Sequence, residues 1–234
     1  MDYASTETQT ETPILRFSGK IFEPLPSGGL YWRAERTLLV ADLHLEKFSS
    51  YARSGQLLPP YDTAQTLRRL TADIAFTGAE TVISLGDSFH RDEGTGTLLD
   101  HDRTALTELM SRTNWFWLSG NHDPSPHALG GQCLPFLDRL GLHLTHEPRR
   151  GQSGLIAGHL HPAARVVING RSTRRPCFVH DSRLMIMPAY GSSTGSINIL
   201  GPAFAGLFQR ETLQVTLLGQ EKLYPVSAKR LING

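Results

Sequence analysis

The chain reads as an α/β protein in which two β-sheets stack as a sandwich with helices on the outside. Short apolar runs at 38–41, 82–85, 115–118, 142–145 and 155–157, bounded by Gly, Asp and Asn, read as buried strands. Helix-period segments separate the first of these runs, so β and α alternate up to about residue 145. From Gly154 onward only short strands and turns follow. Alternation first and β alone afterwards points to a two-sheet sandwich flanked by helices rather than to one doubly wound sheet.

The elements follow in order. Residues 19–22 and 30–32, with a Pro-Ser-Gly-Gly turn at 26–29, form a hairpin. Strand 38–41 leads into Asp42, and a polar loop with a helical turn runs to Pro59 and Pro60. Asp62 or Thr63 caps a helix through Leu67, Leu70 and Ile74 that Gly78 ends. Strand 81–85 completes a βαβ unit, which makes it parallel to strand 38–41. A loop at 90–94, a helix at 97–111, strand 115–118, a short helix near 135–140 and strand 142–145 continue the alternation. Strands at 155–157, 165–168, 177–180, 184–187, 197–200, 205–208 and 213–217 close the chain.

The totals fit an ordinary globular protein, with 39% hydrophobic and 19% charged residues in 234. A single domain over 13–234, preceded by a disordered acidic tail at 1–12, is the expected organisation. No apolar run approaches the ~18 residues of a membrane span. The start lacks the basic and apolar segments of a signal peptide, so a cytoplasmic location is expected. Cys133 and Cys177 lack metal-ligand spacing and read as two unpaired thiols. Net charge is +1, but Arg149, Arg150, Arg165, Arg171, Arg174 and Arg175 follow one another with no acid among them. That local excess either suits a polyanion or is balanced by acids from elsewhere in the fold.

The chemistry gathers at the ends of the apolar runs. Asp42-x-His44, Gly86-Asp87, Gly120-Asn121-His122-Asp123, His146 and Gly158-His159-x-His161 each follow one of them. In the two x-spaced pairs, both side chains fall on one face of extended chain. Gly86, Gly120 and Gly158 leave room for backbone to crowd a site. Asp and His together offer hard oxygen and intermediate nitrogen, which suits Mn, Fe, Zn or Co rather than Ca. The seven ligands Asp42, His44, Asp87, Asn121, His146, His159 and His161 are too many for one tetrahedral zinc and suit two adjacent cations. Such a pair, sharing a carboxylate, lowers the pKa of water and suits in-line attack on phosphorus.

These five motifs, in this order, resemble the signature of the calcineurin-like metallophosphoesterases over about 37–165. The resemblance implies an αββα sandwich, one metal on Asp42, His44, Asp87 and His161, and another on Asp87, Asn121, His146 and His159. Asp87 would bridge them, His122 would protonate the leaving oxygen, and Asp123 would orient His122. A narrower resemblance rests on Asp42-Leu-His-Leu-Glu-Lys47, Gly86-Asp-Ser-Phe-His90, His146-Glu-Pro148 and Gly158-His-Leu-His-Pro162. These stretches are similar to the bacterial ligase-associated DNA-damage-response phosphoesterases. That likeness implies a Mn-dependent phosphodiesterase or DNA endonuclease in repair, acting on single-stranded or structured DNA. It also implies association with an ATP-dependent DNA ligase and a helicase.

The flanking residues take humbler readings. His90, Arg149 and Arg150 are candidates for substrate binding; Glu46, Lys47 and Arg53 either contact phosphate or are solvated. Tyr51 and Tyr61 either touch substrate or pack, whereas Trp115, Phe116 and Trp117 belong to a core strand. His101 reads as a surface residue, and His127, His143 and His180 as structural. The ligand set alone leaves open a phosphodiesterase or pyrophosphatase acting on small nucleotides or lipid precursors. A scaffold without turnover is the reading from another class; the complete ligand set argues against it.

Overall fold

The computed structural model describes residues 13–52, 55, 59–168 and 170–233; the tail at 1–12 and Arg53 lie outside them. The chain opens as an antiparallel meander of β1 (Leu15–Phe17), β2 (Lys20–Pro24), β3 (Leu30–Trp32) and β4 (Thr37–Val40). Ser18 and Gly19 both have positive φ, 46° and 72°. That backbone is the type I′ turn, whose twist matches a hairpin. Then α1 (Lys47–Ala52) and α2 (Asp62–Thr77) cross to β5 (Thr81–Ser84), and α3 (Gly94–Thr97) and α4 (Asp100–Ser111) cross to β6 (Asn114–Leu118). β4, β5 and β6 are parallel, with Leu39 beside Ile83 and Ile83 beside Phe116. β7 (Gln132–Leu134) completes this sheet.

The second sheet takes β8 (Leu137–Arg139), β9 (Leu142–Leu144), β10 (Leu155–Ala157), β11 (Pro162–Ile168), β12 (Arg171–His180), β13 (Leu184–Ile186) and β14 (Ile197–Asn198). Its order is β14-β11-β12-β13-β10-β9-β8, and β15 (Gln214–Leu218) and β16 (Leu223–Ser227) attach to β12 in turn. Among the described residues, therefore, the strands form two mixed sheets.

Three apolar clusters fix the layers. Leu39, Ala41, Ile83, Leu85 and Leu118 meet Leu144, Ile156, Phe178 and Met185 between the sheets. The other face of the first sheet, through Leu38, Val40, Val82, Trp115 and Trp117, packs on Leu67 and Leu70 of α2 and Leu106 and Leu109 of α4. β4 and β5 are buried at every position, as strands covered on both faces must be. Burying one such Leu or Ile stabilises by about 1.5–3 kcal/mol. The outer face of the second sheet is closed by Phe204, Leu207 and Leu231 on and beside short 3-10 turns, so the helical layer there is minimal.

Some elements differ from expectation. The helix expected near 135–140 is absent: strand β8 runs over Leu137–Arg139, and Leu140 and Gly141, with φ of 51° and 81°, turn it into β9. Residues 205–208 form a turn after the 3-10 stretch Pro202–Phe204. The helix at 97–111 is broken where Leu98 and Leu99 are extended. Asp62 and Thr63 do not cap α2; they accept from the Phe48 and Glu46 backbone N–H groups at 3.0 and 2.7 Å and hold α1 instead. Gly78 ends α2 in the left-handed conformation, as read. No helix among the described residues is long and apolar enough to cross a membrane.

Candidate metal centre

Parallel strands place the site. β4, β5 and β6 of the first sheet and β9 and β10 of the second end at one rim, and the five motifs follow their C-terminal ends. The site thus straddles two sheets, not the edge of one. Backbone bonds strap the motif loops together: Asp42 N–H donates to the Gly86 carbonyl at 3.2 Å, His44 N–H to Asp87 at 2.9 Å, and Gly158 N–H to His146 at 3.0 Å.

The paired motifs converge by a route the spacing did not show. Asp42, His44, Asp87, His159 and His161 have φ of 54°, 43°, 47°, 69° and 43°. They stand on tight left-handed turns, not extended chain. Each such residue without glycine's freedom costs about 1–2 kcal/mol, a strain that persists only where the surroundings impose it.

The side chains form two donor sets on either side of Asp87. On one side, His146 donates Nδ1–H to the Leu85 carbonyl at 2.9 Å, which turns Nε2 toward the other donors. That nitrogen faces Asn121 Oδ1 at 3.0 Å, His159 Nδ1 at 3.1 Å and Asp87 Oδ1 at 3.3 Å. On the other side, His161 donates Nδ1–H to the Gly195 carbonyl at 3.2 Å. Its Nε2 then faces His44 Nε2 and Asp42 Oδ1, both at 3.3 Å, and His44 Nε2 lies 3.8 Å from Asp87 Oδ2. Three His/Asp triads have ligand atoms within 4.8 Å of one another, and Asp87 belongs to two of them. Donors bound at about 2.1 Å and separated by about 90–110° around a cation lie about 3.0–3.4 Å apart. Five of these six separations fall there and the sixth, His44 to Asp87, is 3.8 Å, so the residues fit a pair of cations.

Electrostatics point the same way. Burial pushes His146 down, but its bond to Asp87 and the charges of Asp42 and Asp87 outweigh that and hold it up at about 9. Burial pushes His44 down to about 3 despite the nearby Asp42 and Asp87. Burial raises Asp87, yet the bond and charge of His146 bring it down to about 2. Without a cation, the His146 proton supplies the positive charge that two buried carboxylates require.

His122 stands beside this pair of donor sets, its side chain 41% exposed and its Nε2 4.0 Å from Asp87 Oδ2. Asp123 does not orient its ring. That carboxylate accepts from the backbone N–H groups of Ser88, Phe89 and Gly120 at 2.7, 3.1 and 3.1 Å and binds the motif loops together. Burial, with the charge of Asp87, raises it to about 6. The ring of His122 is instead held by the His90 carbonyl, which accepts from Nδ1–H at 3.0 Å, and by stacking on the His90 ring at 5.2 Å. Tyr51 stands edge-on to His90, whereas Tyr61 is 71% exposed.

Other candidates lie apart from this cluster or hold its frame. Arg149 is exposed, and Arg150 donates to the Ala205 carbonyl at 2.7 Å. Glu46 is neither solvated nor facing a substrate: it is buried and accepts from Arg91 at 2.8 Å and Thr97 at 3.1 Å. Lys47 donates to the Ser193 carbonyl at 3.0 Å. His127 packs on Phe89 and Trp117, His143 contacts Asp138, His180 is buried, and Cys133 and Cys177 are free. The Gly195 carbonyl, which fixes the His161 tautomer, went unforeseen; a Gly-Ser-Ser-Thr-Gly-Ser run signals only a loop.

Comparison with known proteins agrees with this geometry. The family model for calcineurin-like phosphoesterases matches residues 35–173. The structure is similar to nuclease MPE of Pseudomonas putida, 30% identical, over 92% of this chain and 99% of that one, with a TM-score of 0.71. More distant is Yfce, a phosphoesterase from E. coli, 15% identical over 84% of this chain and 96% of that one, with a TM-score of 0.37. No curated protein sequence matches. With the family match covering more than half of its length and the donor sets in place, this chain belongs to the calcineurin-like phosphoesterase family and is a metallophosphoesterase.

Proposed function

We propose that the chain is a Mn-dependent phosphodiesterase that cleaves DNA, single-stranded or structured, in a repair setting. The observation that carries this reading is the Asp87 carboxylate shared by two clusters of His/Asp side chains, with a solvent-accessible His122 beside it. Asp42, His44, Asp87 and His161 would hold one cation, and Asp87, Asn121, His146 and His159 the other. When bound, such a pair supplies charge stabilisation to the phosphoryl oxygens and a nucleophile from water near neutral pH. The choice of DNA is supported by the nuclease named among its similar structures.

The chain's own residues then divide the work. His122 fixes Nδ1–H on the His90 carbonyl, so its Nε2 is the nitrogen that can carry a proton to a leaving oxygen. His90 backs that ring by stacking and would meet a substrate from there. Asp123 keeps the loops bearing Asp87 and Asn121 in register through three backbone bonds. Arg149 and Arg150, exposed after His146, would meet phosphates outside the scissile one.

The test is hydrolysis of bis-p-nitrophenyl phosphate, single-stranded DNA and duplex DNA in parallel with added Mn. DNA cleavage that vanishes in Asp87→Asn and His122→Ala supports the reading. Turnover of the small diester without DNA cleavage would refute the substrate and turn attention to small nucleotides.

A further inference from the structure

The second sheet carries charge that the metal centre does not use. Residues 148–210 contain eight arginines and one acid, Asp181. On the hairpin of β11 and β12, Arg165 stands directly opposite Arg174. Like charges in register work against a sheet. Among the described residues, none of Arg165, Arg171, Arg174 and Arg175 meets a carboxylate. Arg165 donates to Ser172 Oγ at 3.3 Å and leaves its buried Nε unpartnered, and Arg174 donates to the Ser196 carbonyl. The expectation that acids from elsewhere balance these charges is not met.

Beside the hairpin lies a cleft of about 950 Å³, lined by Arg171 and Arg175 of β12, by Lys222, and by Tyr224 of β16, with Glu221 as its one acid. Tyr224 is 52% exposed. Its ring lies against Gly219, where a Cβ would come within 2.6 Å of Cε2, so the absent side chain is what lets the ring lie there. Cations for phosphates together with an exposed aromatic face are the equipment of single-strand binding sites.

The cleft is also in reach of the metal centre. β11 starts directly after His161; Ala164 pairs with Arg175, and Ile168 with Arg171. At ~3.3 Å per residue, Arg175 lies about 10 Å and Arg171 about 23 Å along the strand from His161. At about 3.4 Å per nucleotide, that range corresponds to roughly three to seven nucleotides.

We propose that this cleft is a second nucleic-acid contact, which grips a single strand roughly three to seven nucleotides from the scissile phosphodiester. The proposal rests on the nuclease reading only for what lies at the other end of the strand.

The experiment is fluorescence anisotropy of labelled oligothymidylates of about 4 and 16 nucleotides, in EDTA so that nothing is cut, across a salt series. The 16-mer is expected to bind wild type about tenfold tighter than the 4-mer. Arg171→Gln with Arg175→Gln should lose about that tenfold on the 16-mer alone, and its salt slope should fall by about 1.4, or 0.7 for each phosphate contact. Tyr224→Ala should weaken 16-mer binding about tenfold without altering the slope. Arg171→Lys with Arg175→Lys should restore the slope; a slope lost there as well traces the loss to the fold and overturns the proposal. Wild-type affinity in the Gln variant, or equal loss on both lengths, also overturns it. Length-dependent binding by a chain that cuts no DNA would keep the cleft and remove the nuclease reading.

Discussion

Gly86→Ala probes how tightly the centre is built. Gly86 has φ +83°, and a Cβ there would lie 2.7 Å from both Cβ and Cγ of His146 and 2.8 Å from its Nδ1. Ordinary carbon contacts begin near 3.4 Å, so the imidazole or its strand must retreat by roughly 0.7 Å or more. His146 has little freedom to do so, because it is buried and its Nδ1–H is bound to the Leu85 carbonyl. The left-handed backbone adds about 1–2 kcal/mol and the overpacking about 1–3 kcal/mol. Gly19→Ala separates the two, since Gly19 has φ +72° with nothing within 4 Å of the added carbon. Urea unfolding of the metal-free proteins should therefore show Gly86→Ala more destabilised than Gly19→Ala by the overpacking share. Turnover of bis-p-nitrophenyl phosphate with Mn should fall about 100-fold in Gly86→Ala, because displacing a positioned group by about 1 Å costs on that order. Equal destabilisation of the two variants together with wild-type turnover would refute the reasoning.

Four further outcomes are expected. His122→Ala should lower kcat about 10²–10⁴-fold while metal content, measured by mass spectrometry, is unchanged. Arg91→Ala should lower stability in urea by about 1–3 kcal/mol, because it removes one charged hydrogen-bond partner of the buried Glu46 carboxylate. His180, buried against Phe17 and beside Asp181, has its pKa lowered by burial, so the unfolded chain takes up its proton first. Stability should thus fall as pH drops below about 6.5, and His180→Phe should flatten that slope in pH-dependent melts. Mn at about 100 times its Kd should raise the melting free energy of wild type by about 2.7 kcal/mol, and EDTA should reverse it.

Much of this architecture was legible because burial on both faces leaves uninterrupted apolar runs, as in β4 and β5. The parallel pairing of those strands followed from the helix between them. β8 was misread as helix because three residues at a sheet's end carry too little pattern to separate the periods. β16 was missed because Pro225 argues against a strand, and only its place at the edge of the sheet allows it. At the centre, residue types and spacing singled out side chains that the fold brings together, but not the left-handed turns that aim them. The resemblance assigned Asp123 to His122; its three bonds go instead to backbone groups, two of them more than 30 residues away. Such partners are fixed by tertiary packing and leave no trace in local sequence.

The most direct test of the account is anomalous scattering from crystals soaked in Mn. Two peaks about 3.5–4 Å apart are predicted, one among Asp42, His44 and His161 and the other among Asn121, His146 and His159, with Asp87 between them. A single peak, or none at these residues, would contradict it.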